Sequence, residues 1–94
     1  MIMALVLGML EGRSFYLNDI QVEVERIHSP NRVSLTINGD IIQKVTIGPN
    51  HRTELMPGIY ASIGLDSTID QCKVALEAPR NIKILRDNLY NAAD

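Results

Sequence analysis

The stretch "IQVEVERIHSPNRVSLTINGDIIQKVTI", residues 20–47, decides the fold class. Ile20, Val22 and Val24 alternate with Gln21, Glu23 and Glu25, the period of two that places one face of a strand in a core and the other in water. "HSPNR" follows with the turn formers Pro30 and Asn31, and Val33, Leu35 and Ile37 then resume the alternation. Residues 20–37 therefore read as a β-hairpin. "NGD" (38–40) is the strongest turn signal in the chain, and "IIQKVTI" (41–47) continues the strand pattern beyond it.

Working outward, "RSFYLND" (13–19) precedes the hairpin as a short strand ending in Asn-Asp. Downstream come the turn "GPNH", a short "TELM", the turn "PG", "IYASIGL" (59–65), the polar link "DSTIDQ", "CKVALEA" (72–78) and "NIKILR" (81–86). Only "RDNLYNAA" looks helical, with Asp87 or Asn88 available to cap its first turn. The pattern predicts an all-β fold, a small antiparallel sheet or barrel with one short C-terminal helix. No internal repeat is evident. The apolar N-terminus "MIMALVLGML" reads as a buried strand rather than a leader or membrane span. It lacks a basic flank, it ends at Glu11, and a span needs about 20 apolar residues.

With 94 residues, 9 basic and 11 acidic, the chain makes one domain with a net charge of −2. Any nucleic-acid binding must come from locally clustered cations rather than from a general positive field. Cys72 is the single cysteine, so no internal disulfide forms; it reads as a small buried hydrophobe in a reducing, cytoplasmic setting. His28 and His51 sit in Pro-Asn turns and read as solvated turn residues. Glu23 and Glu25, two apart, belong to one solvated strand face. No catalytic motif, metal-ligand spacing or phosphate loop occurs, so the expectation is a non-enzyme without metal or cofactor.

The segment "CKVALEAPRNIKILRDNLY" (72–90) resembles the end of the carbon storage regulator (CsrA/RsmA) family of small bacterial RNA-binding proteins. There a hydrophobic strand runs into an Ala-Pro-basic turn, a short strand ending in Arg, and an acidic-polar helix start. Val74, Leu76, Ala78, Pro79, Arg80, Ile82, Ile84, Arg86, Leu89 and Tyr90 match that pattern. "ALVLGMLEGRSFYLND", with its turn Gly12, is similar to the family's first two strands, and "IQVEVERIHSPNRVSLTI", with Asn31 in the turn, to its third strand and hairpin.

Two departures accompany the resemblance. Both "VSLTING" and "KVALEAP" are candidates for the family's single fourth strand, so a segment at about 38–71 reads as inserted. Gly8, Met9 and Leu10 stand where the family's first strand carries an Arg-rich step.

The resemblance implies an intertwined, strand-exchanged homodimer and a cytoplasmic translational regulator that recognises GGA-type single-stranded loops in a messenger RNA leader or small regulatory RNA, with no membrane role. It implies Arg86 as the principal RNA contact, Ile84 and Leu89 as apolar packing contacts, and Arg80 as a phosphate or base contact. Two such cations give a salt slope of only about 1.4, so stacking or a second site must add affinity. The alternatives are a diverged dimer that has lost GGA recognition and binds a protein partner through the inserted segment, and an unrelated small β-barrel.

Overall fold

The computed structural model describes residues 2–50 and 52–88. The hairpin expected from residues 20–37 is its centre: β3 (Ile20–Ser29) pairs antiparallel with β4 (Arg32–Asn38), and Val22, Val24, Val33, Leu35 and Ile37 are all buried. Strict alternation would turn Arg26 inward and Ile27 outward. A bulge between Val24 and Arg26 reverses this, leaving Arg26 exposed and Ile27 buried. Ile27 lies beyond the end of the neighbouring strand, and its N–H is taken by the Glu11 carboxylate at 2.9 Å.

The remaining strands are β1 (Ile2–Met9), β2 (Ser14–Leu17), β5 (Ile42–Ile47), β6 (Thr53–Met56), β7 (Ile59–Ile63), β8 (Cys72–Pro79) and β9 (Ile84–Arg86). They form two antiparallel sheets, β1-β8-β7-β6 and β5-β4-β3-β2-β9. The inner faces of both sheets meet in one core that includes Phe15, Leu17, Leu35, Ile47, Val74 and Leu76. The all-β class is therefore as the alternation predicts. The described residues include no helical element. Asp87 and Asn88 have helical backbone geometry, and residues 89–94, on which most of the expected helix falls, lie outside the described residues.

The topology repeats although the sequence shows no obvious repeat. In β8, Val74, Leu76 and Ala78 face Leu7, Leu5 and Met3 of β1; in β4, Val33, Leu35 and Ile37 face Ile47, Val45 and Gln43 of β5. Leu7 and Gly8 thus correspond to Ile47 and Gly48, and Val33 and Leu35 to Val74 and Leu76. The second and third strands of each half are joined by two residues, Asn18-Asp19 and Pro57-Gly58. Asn18 (φ 56°) and Gly58 (φ 82°) supply the left-handed conformation that these tight turns need.

The first half, β1–β4, and the second, β5–β8, are two copies of one four-strand unit. Each gives its first strand to the other unit's sheet. Strand exchange is thus present between the two halves of one chain, and residues 38–71 supply the second unit's first three strands. The symmetry ends at β9, which adds to β2. Its counterpart would add to β6, but only residues 39–41 link β4 to β5, too few to form another strand.

One expectation is corrected. The apolar N-terminal run, expected as a buried strand, is a strand at the edge of a sheet and only partly buried: Leu7 and Met9 are buried, while Ile2 and Val6 are 68% and 55% exposed.

Candidate nucleic-acid interface

Pro79 ends β8, and the Ile82 N–H closes a turn onto the Pro79 carbonyl at 3.1 Å. The chain crosses there from one sheet to the other, and Asn18 receives it. The Asn18 side-chain oxygen accepts the Lys83 N–H at 2.9 Å, while the Asn18 N–H donates to the Lys83 carbonyl at 2.8 Å. Ile84, Leu85 and Arg86 then pair with Leu17, Tyr16 and Phe15. Arg86 shares the inward side with Phe15 and Ile84, but on an edge strand that side opens to solvent, and Arg86 is exposed.

The open side faces the end of β1. Gly8, Met9 and Leu10 form one wall of a cleft of about 200 Å³; Arg13, Gln71, Arg86, Asp87 and Asn88 form the rest. Gly8 leaves space that the Gln71 amide occupies, since a Cβ there would lie 2.9 Å from its nitrogen. Among the described residues the outer edge of β1 has no strand partner, which leaves its outward backbone N–H and C=O groups open to them for hydrogen bonding.

Asp87 anchors the cleft. Its carboxylate accepts from Arg13 Nη2 at 2.6 Å, the Ser14 N–H at 3.2 Å and the Asn88 N–H at 2.7 Å. Partial burial pushes the Asp87 carboxyl up, but these three donors outweigh it and hold the group below the usual carboxylate range. Arg13 is thereby paired with a carboxylate. Arg86 forms no ion pair among the described residues, and neither do the exposed Arg80 and Lys83.

The residues expected from the sequence are not all brought together. Arg86 lies at the Gly8–Leu10 end of β1, whereas Arg80 follows Pro79, which pairs with Ile2 at the opposite end. Six strand residues, roughly 20 Å, separate the two places. Ile84 is half-buried against the core, so its packing is in part internal. Leu89 lies outside the described residues, as does His51. His28 stands on β3 rather than in a turn, with its Nε2 2.7 Å from Ser34 Oγ. Cys72 is fully buried, and burial pushes its thiol up to about 11, with a hydrogen bond from Ser67 pulling weakly the other way.

Arg13, Gln71 and Asp87 escaped the sequence reading. The signal for the first and last was an opposite charge on each, but 74 residues separate them and no local pattern links such a pair.

On the far side of the second sheet, Glu25 binds Thr36 Oγ1 at 2.6 Å and Lys44 Nζ at 3.2 Å, so this face is polar and internally paired. Among the described residues no cluster of His, Cys, Asp and Glu is placed to hold a metal, and no helix is long and apolar enough to cross a membrane. Compared with known protein families, curated proteins and solved structures, the chain matches none.

Proposed function

We propose that the chain binds single-stranded RNA along the β1 edge and at Arg86, as a post-transcriptional regulator that recognises GGA-type loops. The observation that carries this reading is the meeting of an uncharged strand edge with an arginine, neither of which has a strand or ion-pair partner among the described residues. Unstacked bases offer hydrogen-bonding edges and flat faces; open backbone groups address the former, and a planar guanidinium with apolar neighbours addresses both. Arg80 at the other end of the same edge extends the track for the phosphate backbone. Because strands are exchanged within the chain, neither sheet needs a second subunit to complete its β1–β8 or β4–β5 pairing. The functional unit of this proposal is the single chain.

The test is fluorescence anisotropy with a labelled hairpin presenting GGA in its loop. Saturable binding that exceeds a scrambled loop, and that Arg86→Ala weakens by about 1–3 kcal/mol, supports the proposal. Equal affinity for both loops at low salt removes it.

A second reading, a protein partner docked on residues 38–71, draws on a different observation: Ile41, Ile42, Leu65 and Ile69 are all more than half exposed there. It gains if GGA preference is absent while Ile42→Lys abolishes capture of a cellular protein.

A further inference from the structure

The two halves of the chain repeat one topology but not one site. The cleft at Arg86 needs the end of a first strand, β1, beside the short strand that follows a fourth one, β9. By the internal symmetry, the corresponding place lies after β5, beside the open edge of β6. No strand is available there, because residues 39–41 lead directly from β4 into β5. Arg86 accordingly has no counterpart.

The chemistry of the second place differs as well. Arg52 stands before β6 as Arg13 stands before β2. Arg52 turns to the outer sheet face instead, donating to Glu77 at 2.8 Å and stacking 4.7 Å over the Tyr60 ring. Pro49 and Asn50, which follow β5, open onto a hollow bordered by the residues after β7, and among the described residues its lining holds no Arg or Lys and one charged residue, Asp66. An anionic backbone meets a carboxylate there rather than a guanidinium.

Resting on the RNA reading above, we infer that each chain carries a single RNA-binding edge, so that a fold built from two exchanged units is a monovalent reader. Two edges on one body make the second contact on a two-loop RNA intramolecular, with a gain of about 10²–10⁴ in affinity. One edge forgoes that gain. An RNA with two GGA loops then binds a single chain only about twice as well as an RNA with one, the statistical factor of two equivalent targets on one partner.

Native mass spectrometry of the full chain with a one-loop GGA hairpin counts the sites directly, and anisotropy with one-loop and two-loop RNAs measures the avidity. The expected result is one RNA per chain, a difference of about twofold between the RNAs, and a uniform weakening of that single site in Arg86→Ala, which keeps the circular dichroism of the wild type. Lys44→Ala, on the opposite edge strand, leaves the binding unchanged. One chain carrying two RNAs, a two-loop gain above tenfold for a single chain, or half the sites keeping wild-type affinity in Arg86→Ala overturns the inference while leaving RNA binding intact. Absence of any complex at low salt overturns the RNA reading and this inference together. The stoichiometry is read on the wild-type chain, so it holds whether or not the variants fold.

Discussion

Arg13 Nη2 donates to Asp87 Oδ1 at 2.6 Å and joins the residue before β2 to the residue after β9. With the Ser14 N–H on the other carboxylate oxygen, this contact fastens the far end of a three-residue strand that, among the described residues, pairs with a neighbour on one side only.

Asp87→Ala is expected to destabilise the protein by about 1 kcal/mol, the usual net worth of such contacts at a partly exposed position. Urea unfolding measures it; an unchanged midpoint would show that β9 is held without Asp87. The sign with pH follows from the lowered carboxyl. A group whose pKa is lower folded than unfolded stabilises the fold fully above its unfolded value of about 3.9 and loses that contribution as pH falls through the folded value. The gap between wild type and Asp87→Ala therefore closes below about pH 4.

Leu35 and Leu76 occupy corresponding places in the two units and are both almost fully buried. Each Leu→Ala exchange is expected to cost about 2–5 kcal/mol through lost burial and a cavity. Since each sheet contains strands from both units, the two variants should lose far-ultraviolet and near-ultraviolet signal in one shared transition. Separate transitions for the two sheets in either variant would contradict a common core.

Cys72 is expected to be inert toward a thiol-specific disulfide reagent at pH 8 in the native protein and to react at once in denaturant, because a buried thiol with a raised pKa supplies little thiolate. Rapid native labelling would mean that the start of β8 opens readily.

Val6 points outward from the β1 edge and is more than half exposed. Val6→Lys should change stability by no more than about 0.5 kcal/mol while reducing concentration-dependent light scattering, since a charge on an exposed edge strand opposes edge-to-edge pairing. Scattering as strong as that of the wild type would place self-association elsewhere.

Much of the strand pattern was legible because alternation is a local property. "VSLTI", "TELM" and "CKVALEA" stand within one residue of β4, β6 and β8. Where alternation breaks, the reading broke with it: nothing in "VERI" announces the bulge that turns Ile27 inward. In the continuous run of β1, every residue is apolar, so the sequence could not tell a strand with one wet face from one covered on both. The pairing of β1 with β8 joins opposite ends of the chain, and periodicity carries no information about partners. The repeat of units escaped for a related reason. Its counterparts, such as Val24 and Ala61 or Gln43 and Met3, share a position and a side of the sheet but not a residue type.

The pairing of β1 with β8 has a consequence for how the protein is made. β1 leaves the ribosome before the other described strands, yet its hydrogen-bonding partner among them is β8. At about 5–20 residues per second, an uncharged apolar strand waits for several seconds with both edges open. During that interval β2, β3 and β4 can close into a meander with local turns, but the first sheet has nothing to form on. Nascent chains on neighbouring ribosomes of one message present the same unsatisfied strand to each other at high local concentration. Crowded expression therefore endangers this protein through β1, and slower initiation, which spaces the ribosomes apart, should raise the soluble yield more than any stabilisation of the finished core.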